Sequence, residues 1–344
     1  MKIIKAAGLT GFVLAIIGLL LFVTFKSTTP SDVSRQPVKV VVMLSWYPGA
    51  ENAFLYYGLA KGIFKKYGLD VEIQPSKGSS IVASALTGES ADFGFISSDY
   101  LITSVAGGND LRALLTLYHE TPVTIYSLPA SNITKPEDLR GKKLAVLSKS
   151  AAFPQVINYL EMKGVGEFVQ VPGTGAFTDI TEGKADAAMD YTHYAPVTLE
   201  VKKAIKPNEI RLSDDFKNFY GTSLATTGKK VERAPEVVQR FTCAMFESLD
   251  ASLKDEAGAV DALVKASGNT LEADVMTVAV KKVNAMISRD TEKQGLAYMS
   301  LDGWAGTVKS IETLSKVSLS NLNVSNAFDA SFLQKARDGK CKGI

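Results

Sequence analysis

Acidic, aromatic and hydroxyl side chains follow several apolar stretches of this sequence, and this combination is suited to holding a small ligand. Carboxylates pair with cationic or amine-bearing groups, and aromatic rings stack on flat rings or hold cations. The candidate ligand-binding residues are Trp46, Tyr47, Ser79, Ser97, Ser98, Asp99, Ser148, Ser150, Asp190 and Tyr191. Because acids and aromatics dominate this set, it favours a nitrogen-containing aromatic ligand.

An anion is the alternative ligand. Sulfonate, taurine or nitrate would favour arginine or the free amide groups at a helix start. No arginine is obvious near the candidate residues, but residues 148–150 precede a predicted helix and offer such amides. A sulfonate-type ligand therefore stays open.

Catalytic and metal-binding motifs are missing from the sequence. His119 and His193 are its two histidines and lie far apart, so a zinc site would need carboxylates at spacings that no motif indicates. There is no H-E-x-x-H, no Walker loop and no G-x-S-x-G. We therefore expect no enzyme activity, no metal and no cofactor.

Strands and helices alternate along the chain, and they position the candidate residues. Residues 38–44 predict a buried strand, residues 53–67 a helix, and residues 91–96 a strand that ends at the serines before Asp99. The same alternation of strands and helices begins again at residue 144. An α/β fold of mostly parallel sheets flanked by helices is expected, with ligands at the carboxyl ends of the strands.

Two lobes joined by two crossing segments fit this pattern and the length of 344 residues. We expect residues 38–122 to form the first part of lobe 1, residues 123–220 to form lobe 2, and residues 221–344 to complete lobe 1 with carboxy-terminal helices. The net charge of only +2 gives no electrostatic reason to expect nucleic acid.

The amino-terminal segment has the length and apolar character of a membrane-targeting or membrane-spanning segment. Residues 6–25 are apolar and uncharged, and at about 1.5 Å per residue they span roughly 30 Å, the thickness of a bilayer core. We interpret residues 1–26 as an uncleaved anchor, with a cleaved signal as the alternative, and residues 27–37 as a linker. The remainder is then periplasmic or extracytoplasmic, tethered to the cytoplasmic membrane.

Cys243 and Cys341 are the two cysteines. Export to an oxidising compartment would allow them to form a disulfide that fixes the carboxy-terminal tail. The alternative is a buried small side chain at Cys243 and a free thiol at Cys341.

Several short motifs, in this order, resemble one known family. They are Trp46-x-Pro48, the segments 60–64 and 68–71, the strand exit 95–99, the segment 138–143 and the segment 183–187. Together they resemble type II periplasmic substrate-binding proteins of ABC importers, in the branch of the thiamine-pyrimidine-precursor (NMT1/THI5-like), riboflavin and sulfonate (SsuA-like) receptors. The resemblance covers nearly all of residues 38–315.

The resemblance implies a monomeric solute-binding subunit whose lobes close on a small molecule and deliver it to an ABC permease with its ATPase subunit. Glu51 and Asn52 stand where pyrimidine-precursor receptors usually carry Asn and His. Pyrimidine-synthesis enzymes share the fold, but they carry a cysteine-rich, iron-associated motif that two isolated cysteines cannot form. A membrane-anchored ligand sensor is a further alternative.

Overall fold

The protein is described by a computed structural model that covers residues 36–146, 152–173, 176–288 and 294–341. The predicted anchor at residues 1–26 lies outside these ranges, as does the predicted linker up to residue 35. Within the ranges, no helix combines the length and the apolar character that crossing a bilayer requires.

In the described residues, ten strands build two sheets. In chain order they are β1 (Val38–Met43), β2 (Leu69–Gln74), β3 (Phe93–Ser97), β4 (Leu111–Thr116), β5 (Val123–Ser127), β6 (Lys143–Val146), β7 (Val169–Pro172), β8 (Ala187–Tyr191), β9 (Asn208–Arg211) and β10 (Thr222–Thr227). The first sheet has the order β2-β1-β3-β10-β4, and the second has the order β7-β6-β8-β5-β9.

The α-helices that flank the sheets are α1 (Ala53–Ala60), α2 (Ile63–Lys66), α3 (Ser79–Thr87), α4 (Ser98–Ala106), α5 (Ala152–Met162), α6 (Ala176–Thr181), α7 (Ala195–Lys203), α8 (Leu212–Asp215), α9 (Gly228–Arg233), α10 (Pro235–Lys254), α11 (Glu256–Ala266), α12 (Ala273–Ser288), α13 (Leu301–Ser315) and α14 (Ser331–Arg337). The segment predicted as one helix over residues 53–67 is two helices, because Gly62 adopts a left-handed backbone (φ 70°) that interrupts the first.

The predicted α/β fold is confirmed, with one reversed strand in each sheet. Four strands of each sheet run in the same direction, and β10 or β5 runs antiparallel to its two neighbours. Each reversed strand is the first one the chain forms after it crosses from the other sheet. The strand pairing therefore sets Val123 of β5 beside Tyr191, and Thr222 of β10 beside Ser97.

The two crossings lie side by side. The amide of Gly221 donates a hydrogen bond to the carbonyl of Tyr118 (3.0 Å), and the amide of Leu117 donates one to the carbonyl of Thr222 (2.8 Å). A Cβ at position 221 would lie 2.8 Å from the Tyr118 ring, so glycine permits this close approach. The carboxyl ends of β3 and β8 consequently meet next to the paired crossings.

Two large apolar cores support the region where the two sheets meet, which we call the junction. One packs α1, α10, α11 and α12 on the first sheet, and in it the rings of Phe93 and Phe241 stack with centroids 3.9 Å apart. The other is shared by both sheets and contains the fully buried Trp304 of α13. Because carboxy-terminal helices pack into both cores, the lobe boundaries drawn from the sequence stay a prediction.

The two cysteines form a disulfide. The sulfur atoms of Cys243, in α10, and Cys341, beyond α14, are bonded, and their Cα atoms lie 5.9 Å apart. Of the two interpretations left open by the sequence, the structure adopts the bridge that fastens the carboxy-terminal segment to the first core.

Candidate functional site

Three predicted residues, Ser97, Asp99 and Tyr191, come together where the two sheets meet. They line a cavity of about 20 Å³ together with residues of both crossings. This volume holds about one water molecule, so the two sides of the junction, one carrying each sheet, are in contact here. The side-chain amide of Gln155, in α5, donates a hydrogen bond of 2.5 Å to the Asp99 carboxylate and joins the two sides directly.

The other predicted serines have different positions. The Ser79 hydroxyl, at the start of α3, accepts a hydrogen bond from the amide of Ser97 (3.0 Å) and pairs with the Ser97 hydroxyl (3.0 Å). Ser98 is fully buried, and its hydroxyl bonds to that of Ser223 (2.9 Å). The structure thus places Ser98 behind the junction, inside the first sheet. Ser148 and Ser150 lie outside the described residues.

Trp46 and Tyr47 lie in the loop after β1 and are about half exposed, at 48% and 49%. Their rings meet edge to face with centroids 5.7 Å apart. They present a rigid aromatic surface to solvent and are not part of the buried group of side chains. Their role as ligand contacts stays a prediction.

Asp190 is the next-to-last residue of β8, and its carboxylate bonds to the backbone of Tyr191 and of the first residue of the following helix. One carboxylate oxygen accepts from the amide of Tyr191 (2.7 Å), and the other accepts from the amide of Ala195 in the first turn of α7 (3.1 Å). Burial raises the pKa of Asp190 to about 6, although these two bonds act in the opposite direction. The residue therefore has a structural task as well as the ligand role predicted for it.

A polar and aromatic cluster of buried and half-buried residues lies beside these residues, and of its members only Tyr191 was predicted from the sequence as a ligand contact. It consists of Glu51, Tyr118, Tyr191, His193 and Tyr194, and we call it the junction cluster. The Tyr194 hydroxyl donates a hydrogen bond of 2.5 Å to Glu51, which is only 6% exposed. Since Glu51 precedes α1 and Tyr194 precedes α7, this bond also joins the two sides.

The charges in the junction cluster follow from burial. Burial raises the pKa of Glu51 to about 7, and the bond from Tyr194 offsets part of that rise. Burial, with the positive charge of Lys282, lowers the pKa of His193 to about 3. His193 is therefore neutral at ordinary pH, and its 3.8 Å approach to Glu51 is not an ion pair.

Several buried polar atoms of the cluster have no hydrogen-bond partner among the described residues. They are Glu51 Oε2, the Tyr118 hydroxyl and both ring nitrogens of His193. Buried polar groups are normally satisfied by protein, water or ligand, so unpaired atoms that gather at one place mark where a guest can bond.

The rings of the cluster are arranged as a wall. The Tyr191 and Tyr194 rings lie nearly parallel, 19° apart, with centroids separated by 6.0 Å, and the His193 ring stands 4.7 Å from that of Tyr194. A sequence signal for this wall existed in the aromatic residues that directly follow β8. Glu51 gave a weaker signal, because its burial depends on residues distant in the chain.

In the described parts of the chain, His, Cys, Asp and Glu side chains form no group of three that could hold a metal ion.

The two five-stranded sheets, the flanking helices and the paired crossings constitute the periplasmic-binding-protein fold. The periplasmic aliphatic sulphonate binding protein SsuA from Escherichia coli has this fold, with a TM-score of 0.65 at 14% identity over 85% of this chain and 92% of that protein. The alkanesulfonate-binding protein SsuA from Xanthomonas axonopodis pv. citri, bound to MOPS, gives a TM-score of 0.62 at 14% identity, covering 86% and 99%.

The chain belongs to the NMT1/THI5-like family, whose sequence model matches residues 50–259. The resemblance stated from the motifs is confirmed. A curated relative, 4-amino-5-hydroxymethyl-2-methylpyrimidine phosphate synthase THI13 of Saccharomyces cerevisiae, is 24% identical over 233 residues, which are 63% of this chain and 68% of the yeast protein.

Proposed function

We propose that this protein is the extracytoplasmic solute-binding subunit of an ABC importer and that it captures a small, nitrogen-containing aromatic compound. One observation carries the choice of ligand. The carboxyl groups of Glu51, Asp99 and Asp190 lie at the junction of the two sheets among tyrosine rings, and within the described ranges none is paired with lysine or arginine.

Enclosed carboxyl groups without a cation are costly, and the raised pKa values of Glu51 and Asp190 express that cost. A protonated amine or an aminopyrimidine would donate hydrogen bonds to these oxygens. Its ring would contact the faces of tyrosine side chains, which attract cations and flat rings. The same carboxylates would repel a sulfonate.

Closure of the two lobes on the ligand is the proposed mechanism. The Asp99–Gln155 and Glu51–Tyr194 bonds join the two sides in the closed arrangement. A ligand shifts the balance between open and closed forms only by as much as it binds one form better. A compound that contacts both sides would favour closure, and a permease with its ATPase subunit would recognise the closed form. We also propose that the receptor is a monomer and that residues 6–25 tether it to the membrane.

A thermal-shift screen of the purified full chain tests this proposal, because a compound that binds only the folded form raises Tm. The probes are 4-amino-5-hydroxymethyl-2-methylpyrimidine, thiamine, riboflavin, taurine and methanesulfonate. We expect a shift for an aminopyrimidine that is lost in Asp99→Asn. The matched control is Glu182→Gln, which removes an exposed carboxylate paired with Lys184 and should keep the shift.

The screen also separates the alternatives. A shift for taurine or methanesulfonate alone would identify an anion receptor, the reading favoured by the SsuA proteins that share the fold. Conversion of a pyrimidine precursor, measured in the same mixtures by chromatography, would identify an enzyme, as the name of the yeast relative indicates for that protein. Either result would overturn the proposed function.

A further inference from the structure

Helix α12, on the side that carries the first sheet, makes ion pairs with the second-sheet side at two points. Its apolar residues belong to the core on the first sheet, and Val197 of α7 is fully buried in that same core. In the first turn of α12, Asp274 pairs with Lys202 of α7 at 3.0 Å. Further along the helix, Lys282 pairs with Glu209 of β9 at 3.0 Å. The two sides are therefore held together by charge as well as by apolar contact.

The two ion pairs differ in how much water reaches them. The side chain of Asp274 is 59% exposed, and solvent and salt screen such a pair strongly. The side chains of Lys282 and Glu209 are only 26% and 12% exposed. Because partly buried charges are screened less, the loss of the pair between Lys282 and Glu209 should cost more than the loss of the exposed pair.

Glu209 connects Lys282 with the segment that carries the wall of rings. Its second carboxylate oxygen accepts a hydrogen bond of 2.5 Å from the hydroxyl of Thr192, which directly precedes His193. The charge of Lys282 also acts on that ring, since after burial it is the second cause that lowers the pKa of His193. One carboxylate thus joins a lysine of the first-sheet side to the wall on the second-sheet side.

We propose that Lys282 is a positioning residue of the ligand site, which holds the two sides closed through Glu209 and, through Thr192, fixes the segment 191–194. The inference rests on the lobe closure included in the proposed function, and it names the contact that controls this closure. It does not depend on which compound the site takes, because none of these three side chains is assigned to the ligand.

Arg211 shows why the lysine is specific to this role. The Nη2 atom of Arg211 lies 3.9 Å from Glu209, but both residues belong to strand β9. Arg211 therefore balances the charge of Glu209 without joining the two sides. Replacing Lys282 by alanine removes the link and leaves a cation beside Glu209, so the effect of the replacement reports the link and not an isolated buried charge.

Oxidation of methionine by hydrogen peroxide measures how often the two sides separate. It is followed residue by residue by mass spectrometry on the full chain, as the conversion of each thioether to the sulfoxide. Met276 of α12 lies beside Thr198 of α7 and is only 8% exposed, so separation uncovers its sulfur. Met245, fully buried in the core on the first sheet, and Met162, 51% exposed, are the slow and fast internal references.

We expect Met276 to be oxidised about 10-fold faster in Lys282→Ala than in the wild type, because the loss of one hydrogen bond between charged groups shifts an equilibrium by about this factor. The rates at Met245 and Met162 should not change. An unchanged rate at Met276 would overturn the inference, since the pair would not hold the two sides. An equal rise at Met276 and Met245 would also overturn it, since the whole chain would then unfold more easily.

Two further lysine variants calibrate this result. Lys202→Ala breaks the exposed pair and should accelerate oxidation of Met276 by less than about 5-fold. The matched control is Lys265→Ala, which removes an exposed ion pair with Asp261 inside α11 and should leave the rate at Met276 unchanged. A control variant as fast as Lys282→Ala would overturn the inference.

Amide exchange tests the position of the segment 191–194. This segment should exchange faster in Lys282→Ala and in Thr192→Val, which keeps the shape of the side chain but removes the hydroxyl bond to Glu209. Unchanged exchange in both variants would overturn the positioning role. Neither assay uses a ligand, so failure of this inference leaves the thermal-shift screen to decide the proposed function on its own.

Discussion

Replacing Glu51 by glutamine should stabilise the protein at alkaline pH. Burial raises the pKa of Glu51 from 4.5 to about 7. A rise of about 2.5 units corresponds to about 3 kcal/mol, at 1.36 kcal/mol per unit. The folded chain holds this proton more tightly than the unfolded chain, so the free energy of unfolding falls as pH rises from about 4.5 to about 7, and the full penalty is present above that range.

Glutamine carries no charge and keeps an oxygen that accepts the hydrogen bond from Tyr194, so it should escape the penalty. Urea unfolding of the wild type and Glu51→Gln at pH 8 and pH 4.5 measures the difference. We expect a gain of up to about 3 kcal/mol at pH 8 and almost none at pH 4.5. Burial of Asp190 affects both proteins equally and cancels.

The control is Glu182→Gln, an exposed carboxylate beside Lys184, which should change the free energy of unfolding by less than about 0.5 kcal/mol at both pH values. A variant less stable than the wild type at pH 8 would refute the reasoning, because it would mean that Glu51 is stabilised as an anion by a charge we have not counted. Equal gains at both pH values would refute it too, since the penalty would not be one of ionisation.

Three further changes have defined outcomes. Reducing the Cys243–Cys341 bridge opens a loop spanning 98 positions and should lower the free energy of unfolding by about 4–5 kcal/mol; urea curves that coincide with and without reductant contradict this. Gln155→Ala removes a bond between the two sides and should raise the radius of gyration of the ligand-free protein in small-angle scattering, whereas an unchanged radius means that this bond does not hold them closed. Trp46→Ala should weaken binding of the junction ligand while leaving the ligand-free Tm nearly unchanged, because the side chain is half exposed; a large loss of Tm would make it a core residue.

The fold could be predicted because its signals are local. A β-branched run marks β1, and Gly62 and Gly68 stand at turns with left-handed backbone, where glycine is favoured. The direction of β5 and β10 could not be predicted in the same way. The direction of each of these strands depends on where the preceding crossing enters the other sheet. The residues of the strand itself carry no signal for that position.

The same distinction applies to the candidate site, because residues with a local sequence signal were predicted and the others were not. Ser97, Asp99 and Tyr191 were predicted together because the carboxyl ends of strands share an edge in α/β sheets. Glu51 and Tyr118 escaped prediction because nothing next to them in the sequence announces burial. Glu51 looks like an ordinary acidic residue before a helix, and the side chains that contact it, Tyr194 and His193, are distant in the sequence.

The contrast between two buried polar groups shows where a guest is accommodated. Inside the first sheet, the hydroxyls of Ser98, Ser223 and Thr116 form a closed chain of hydrogen bonds at 2.9 and 3.0 Å. At the junction, Glu51 and His193 are equally buried but keep unpaired atoms. Other buried polar atoms without a partner, such as the Tyr126 hydroxyl and Trp304 Nε1, belong to other parts of the fold, whereas those of Glu51 and His193 lie close together, with Glu51 Oε2 3.8 Å from His193 Nε2. The unpaired atoms of Glu51 and His193 therefore mark the place where the ligand of the proposed receptor would bind.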